Sequence, residues 1–213
     1  MIPHFPKLLP KSFYLNEDVS SIAQSLLGKI VVSKKEGLVC SGIIVETEAY
    51  RAPEDKASHA FGNRKTTRTA SMFSEGGHAY VYKCYGIHDM LNVVSAEKDL
   101  PHAILIRAIE PLNGLELMQQ RRNCGHNNYL LTGGPGKVCS ALGIDVLDDG
   151  LTLYKNESLI TIHHASDIST ANIVCTPRVG MSHHTGDCGH WPLRFYIKGN
   201  KWVSRPLTLS YDW

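Results

Sequence analysis

Two short runs carry the residue types that could do chemistry. Glu46-Thr47-Glu48-Ala49-Tyr50 alternates acids with an aromatic, and further on Tyr80-Val81-Tyr82-Lys83-Cys84-Tyr85-Gly86 supplies three more rings. Both read as β-strands, in which alternate side chains share a face. Glu46, Glu48 and Tyr50 then point one way and Val45, Thr47 and Ala49 the other, while Tyr80 and Tyr82 share a face. A carboxylate beside two flat rings can hold a planar, electron-poor group and activate a water next to it, which suits chemistry on a nucleobase. Two mechanisms fit the acids: a carboxylate pair, as in glycoside hydrolysis, or one base that deprotonates water while the other Glu is structural. Same-face neighbours on one strand are poorly placed to flank a sugar on both sides. The plain alternatives are a solvated strand face and tyrosines acting only as strand formers. Tyr85 stands apart. It precedes Gly86 at a predicted hairpin tip, where a core residue has nothing to pack on. An exposed ring there suggests insertion into a partner, between bases if the partner is DNA.

The elements that must position these residues follow from the pattern. Asn16 or Asp18 can cap a helix through Val19, Ile22, Ala23, Leu26 and Leu27, stopped by Gly28. Strands are predicted at 29–33 and 38–50 around a turn at 34–37, then a hairpin of 78–84 and 89–95. A buried strand at 103–109, a helix at 112–122, a glycine turn at 132–137 and a short helix at 138–142 come next. Strands at 152–154, 159–163, 173–179, 193–197 and 202–203 complete the reading. The sum, mostly antiparallel strands with a few peripheral helices, indicates an α+β fold. With no repeat, low-complexity tract or linker, residues 1–213 are expected to form a single domain. The long polar stretch 51–77 is expected to be functional or poorly ordered.

Composition excludes several classes. The formal charge of +2 argues against a generic polyelectrolyte binder, although a local basic face could hold phosphates. Arg64, Lys65 and Arg68 in the long loop, and Lys137 at the end of the glycine turn, are candidates for DNA-backbone contact; Arg194, Lys198, Lys201 and Arg205 form a second basic group. No apolar run approaches a membrane span. The N-terminus has Pro and Lys where an export signal needs an apolar run, so an intracellular, cytoplasmic protein is expected. The six cysteines include no CxxC pair and read as reduced thiols. Cys175, His183, His184, Cys188 and His190 have ligand chemistry suited to zinc but match no familiar zinc spacing, and no metal or other cofactor is expected. Gly133-Gly134-Pro135-Gly136-Lys137 lacks the spacing of a phosphate loop and reads as a turn opening a helix.

Taken together, the segments resemble the alkyladenine (3-methyladenine) DNA glycosylase family, over nearly the full chain. The resemblance is carried by Leu26-Leu27-Gly28-Lys29, Val45-Glu-Thr-Glu-Ala-Tyr50, Pro53-Glu-Asp-Lys-Ala57 with His59, Met72-Phe73, and Tyr80-Val-Tyr82 with Tyr85-Gly86 and Asn92. It continues through Leu105-Ile-Arg107-Ala-Ile-Glu-Pro111, Gly134-Pro135-Gly136-Lys137, Thr176-Pro-Arg-Val-Gly180 and Pro192-Leu-Arg-Phe-Tyr196. It implies a compact α+β domain with a curved, mostly antiparallel sheet and a projecting hairpin, with Glu48 as the catalytic glutamate and no direct catalytic role for Glu46. Tyr50, His59 and Tyr82 would wall the base pocket, and Asn92 would sit at its edge and discriminate purines. Tyr85 would fill the gap left by a flipped nucleotide. Arg107 and the Val179 carbonyl would help place the attacking water. The implied partner is double-stranded DNA containing damaged purines, bound by a monomer. Two departures stand out: Ile87-His88 beside the intercalating tyrosine is less bulky and apolar, and Met181–His190 is longer and more polar than expected. A nucleic-acid binding module with tyrosine platforms is the rival class. A zinc nucleobase deaminase is disfavoured because neither H-x-E nor PCxxC occurs.

Overall fold

The computed structural model describes residues 4–125 and 127–207. Its fold is α+β, built on an open eight-stranded sheet in which every strand pairing is antiparallel. The strands are β1 (Ile30–Lys35), β2 (Leu38–Tyr50), β3 (Ala79–Cys84), β4 (His88–Ser95), β5 (His102–Asn113), β6 (Ile160–His163), β7 (Ile173–Thr176) and β8 (Arg194–Ile197). The main path runs β3-β4-β5-β2-β1-β6, and β8 joins β2 to β7. The helices are α1 (Val19–Ser25), α2 (Leu115–Arg122), α3 (Tyr129–Thr132) and α4 (Pro135–Leu142). Asp18 caps α1, its carboxylate accepting from the Ser20 and Ser21 amides at 3.0 and 3.2 Å.

The long strand β2 organises everything else. One edge pairs with β5 along nearly its whole length. The other edge changes partner midway, from β1 over Leu38–Ile43 to β8 over Glu46–Glu48. At that changeover the ladder with β5 is irregular. Ile44 faces Ile109, Glu46 faces Ala108 and Thr47 faces Ile106, so Val45 and Arg107 each lack an opposite partner. Bulges of this kind re-aim side chains. Here they cancel, and the register beyond them is restored.

The two faces of the sheet differ as the alternation demands. Val45, Ala49, Val81, Leu91, Val93, Ile104 and Ile106 join α1 and α4 in the main core. The opposite face carries a smaller cluster of Tyr80, Val94 and Ala103, covered by Ala52, Ala60, Met72 and Phe73 from the 51–77 stretch. That stretch is therefore packed in turns and short 3₁₀ segments rather than loose.

Several boundaries differ from the sequence reading, and proline explains most of them. Strand β5 runs through Pro111 to Asn113, because the proline falls at an irregularity opposite Gly42 that needs no N–H there. The following helix consequently starts at Leu115 rather than 112. Helix α4 opens at Pro135, taking up half of the expected glycine turn. The strand expected over 173–179 stops at Thr176, before Pro177. Residues 152–154 form only a single bridge, Thr152 to His78. Trp202 and Val203 are buried in turns instead of a strand. The short helix α3 was not foreseen.

Candidate active site

A single row of the sheet assembles the site. Tyr80 pairs with Asn92, Asn92 with Leu105, Leu105 with Glu48 and Glu48 with Arg194, so residues from five strands stand side by side. Above this row lies a cavity of about 270 Å³. Its wall includes Tyr50, His59, Tyr80, Tyr82, Asn92, Arg107 and Val179, with Tyr85 at the rim.

Glu48 sits just behind that wall and is 0% exposed. Its Oε1 accepts from the Val179 N–H at 2.7 Å and lies 3.3 Å from Arg107 Nη1. Its Oε2 accepts from the Tyr50 hydroxyl at 2.8 Å. All three partners line the cavity, while Glu48 itself does not. A carboxylate offers about four lone-pair positions, so Oε2 keeps one for a further donor. Tyr50 is a dependable donor, because burial and then the Glu48 charge raise it well above the ordinary tyrosine range. The Val179 amide bond to the carboxylate is a contact the sequence reading did not include.

Glu46 does a different job. It is also 0% exposed, and its Oε1 accepts from Arg107 Nε at 3.0 Å, Arg194 Nε at 2.7 Å and Ser204 Oγ at 2.9 Å. Its Oε2 accepts from the Ser204 N–H at 2.8 Å. Arg107 thus bridges both glutamates, which rules out their flanking a sugar from opposite sides. Burial pulls the Arg107 guanidinium down, but the Glu48 and Glu46 charges outweigh it and hold it above its ordinary value. Arg194 is fully buried here, so it does not belong to a surface basic group as the sequence suggested. Its register on β8 turns it inward to Glu46.

The remaining expected residues divide clearly. Asn92 is fixed by donating Nδ2 to the Tyr80 and Met90 carbonyls at 3.1 and 3.4 Å. His59 keeps an edge open to solvent, yet loss of water around its nitrogens and the nearby Arg68 charge push it down to about 4. Its Nδ1 lies 2.9 Å from the Tyr80 hydroxyl, and the Tyr82 ring packs edge-on at 4.6 Å. At the tip, Tyr85 is 92% exposed with φ 51°, and Gly86 follows at φ 73°. A bulky residue in the left-handed region is uncommon, and such strain concentrates where function requires it. Arg64 and Lys65 are exposed away from the cavity, Lys65 lying 3.8 Å from Asp99. Lys137 stands in the first turn of α4, two residues after Pro135, which lines the cavity. Arg68 packs on Tyr82 and His59 instead of pointing freely outward.

Sequence reasoning missed the support behind Tyr50. Arg178, fully buried, stacks 4.7 Å from the Tyr50 ring and forms a bidentate ion pair with the buried Asp55. The same guanidinium donates to the Ala49 and Cys188 carbonyls at 3.0 and 2.8 Å. Both residues lie in segments that carry the family resemblance, but nothing local pairs charges 123 positions apart. The histidine-rich segment joins the site through this contact, and Met181 lines the cavity. Its residues do not converge on a metal: among the described residues no group of three His, Cys, Asp or Glu could hold one.

A buried carboxylate clamped by a guanidinium, directly behind an aromatic-walled cavity whose rim carries an exposed ring, is an arrangement that can do chemistry on a flat group. The chain belongs to the methylpurine-DNA glycosylase family, whose profile matches residues 12–201. It is 48% identical over 198 residues to a protein of Chlamydia felis, covering 91% of this chain and 98% of that one. It is 43% identical over 197 residues to one of Bacillus licheniformis (92% and 96% covered) and 41% over 199 residues to one of Bdellovibrio bacteriovorus (93% and 99%). All three bear the name "Putative 3-methyladenine DNA glycosylase". No helix among the described residues is long and apolar enough to cross a membrane.

Proposed function

We infer that this protein is a monofunctional DNA glycosylase that flips damaged, chiefly alkylated, purines out of duplex DNA and hydrolyses the N-glycosidic bond. The observation that carries this reading is the Glu48 carboxylate, gripped by Arg107, the Val179 amide and Tyr50, all of which face one aromatic cavity. A base inside a duplex is out of reach, so the nucleotide must be extruded at a cost of about a few kcal/mol. Tyr85, held out at the hairpin tip, fills the vacated stack from the minor groove. Tyr50 and Tyr82 grip the base. A purine alkylated at N3 or N7 is cationic and gains about 0.5–2 kcal/mol over an aromatic face.

Water then approaches the open lone pair of Glu48 Oε2. Because the carboxylate is closed off in the free protein, this requires the Tyr50–Val179 wall to part slightly as the base seats; catalytic contacts commonly tighten only on binding. Glu48 takes the proton, the water oxygen bonds to C1′ of the sugar, and the C1′–N bond breaks. The electron pair leaves with the base, and the products are a free purine and an abasic site. Arg107 orients the water and the carboxylate. Among the described residues no lysine lines the cavity, which supports a water nucleophile and no strand-cutting lyase step. A monomer working on duplex DNA inside the cell, with Arg64, Lys65 and Lys137 near phosphates, completes the proposal.

Glu48→Gln tests it. The amide keeps the size and the bond from Val179, and its NH₂ can donate to Tyr50, so no donor is left facing a donor. Base release from a 3-methyladenine or 7-methylguanine duplex should fall at least about a hundredfold, the usual scale for a lost general base, while lesion-duplex binding persists. A variant as active as the wild type refutes the assignment.

A further inference from the structure

One wall of the cavity has the Arg68 guanidinium standing behind it. Arg68 Cζ lies 4.8 Å from the centroid of the Tyr82 ring, and its Nη2 lies 3.3 Å from His59 Nε2. A guanidinium can only donate, so His59 Nε2 accepts and its Nδ1–H is left to donate to the Tyr80 hydroxyl. Arg68 does not line the cavity. It lines two hollows on the outer side of the wall, one shared with Tyr82 and one with His59. The wall between Arg68 and a bound base is therefore one ring thick.

The opposite wall has the same arrangement with a different charge balance. Arg178 backs Tyr50 at 4.7 Å, but Asp55 neutralises it. Among the described residues no carboxylate lies within ion-pair distance of Arg68; Asp149 lines one of the same hollows, its Oδ1 accepting from Ser71 Oγ and the Val81 N–H. A cation facing an aromatic ring is attracted by its negative face. A second cation on the other face meets the first across the ring. With Arg68 about 4.8 Å behind Tyr82 and a base in contact roughly 3.5–4 Å in front, the two charges would stand about 8 Å apart. A neutral purine stacks there without that repulsion.

We propose that Arg68 is a specificity-determining residue: its charge, delivered through the Tyr82–His59 wall, weighs against cationic purines and keeps neutral damaged purines within the substrate range. This rests on the glycosylase reading and sharpens it. The same charge helps to keep His59 neutral, so that this wall presents no second cation to the base. The size of the bias follows from Coulomb's law between an effective dielectric of about 20 and that of water. At about 8 Å it is roughly 3- to 30-fold in relative rate.

The test compares the full chain as wild type, Arg68→Gln and Arg68→Lys on two duplexes, one carrying cationic 7-methylguanine and one neutral hypoxanthine. Base release is measured as kcat/KM across a salt series. Arg68→Gln should raise the cationic-to-neutral ratio about 3- to 30-fold, and Arg68→Lys should keep the wild-type ratio within about twofold. If instead both substrates weaken together, with the ratio unchanged and the salt slope reduced by about one, Arg68 is only a phosphate contact and the proposal is overturned. It is overturned as well if Arg68→Lys shifts the ratio as much as Arg68→Gln, or if the wild type releases 7-methylguanine but no hypoxanthine. Release of neither base by the wild type would count against the glycosylase reading itself.

Discussion

Glu46→Gln is the most informative perturbation of the buried ionic cluster. Two acids, Glu46 and Glu48, meet two guanidinia, Arg107 and Arg194, so the formal charges cancel. Three donors converge on Glu46 Oε1 and the Ser204 amide reaches Oε2. An isosteric amide can keep its oxygen toward the three donors, but its NH₂ then faces the Ser204 N–H, donor against donor. The reversed orientation sets NH₂ against two guanidinia and is worse. Neutralising one partner of a fully buried cluster costs about 3–5 kcal/mol, a large share of a typical total of roughly 5–15 kcal/mol. With a urea slope of about 2 kcal/mol per molar, the unfolding midpoint at pH 7.5 should fall by roughly 2 M. The loss must also depend on pH. Burial raises the Glu46 pKa, but Arg107, Arg194 and the two Ser204 bonds outweigh it and hold it below the ordinary value of 4.5. A depressed folded-state pKa contributes stability that is present above the unfolded value and lost as pH falls through the folded one. The gap between wild type and variant should thus be widest near neutrality and close below about pH 4. Urea titrations at a series of pH values measure both features. A loss under about 1 kcal/mol at pH 7.5, or one that does not shrink in acid, would show that Glu46 does not anchor this cluster.

Two further outcomes are expected. Tyr85→Ser removes a ring that is 92% exposed, so stability should stay within about 0.5 kcal/mol while affinity for lesion duplexes falls; unchanged affinity would remove the wedge role. His59, held down to about 4 by burial and then by Arg68, should show no imidazole protonation above about pH 5 by NMR titration. An inflection near the ordinary value of 6.5 would contradict the enclosure of its two nitrogens by Tyr80 and Arg68.

By itself, the sequence determined the alternation and the punctuation. Glu46, Glu48 and Tyr50 on one face, Val45 and Ala49 in the core on the other, and a hairpin tip carrying Tyr85 were all legible, because side-chain period and turn chemistry are local properties. The family motifs added which residues would share a pocket. Tertiary structure alone decided the row that sets Tyr80, Asn92, Leu105, Glu48 and Arg194 in line, since register joins strands far apart in the chain. It decided the paired irregularities at Val45 and Arg107, which let one guanidinium reach both glutamates. It turned Arg194 from an apparent surface charge into a buried partner of Glu46, and brought Asp55 and Arg178 together behind Tyr50. Charge pairing over such distances has no periodicity to betray it. Which arginine lies behind which ring is a matter of packing, and it emerges only once the strands are laid side by side.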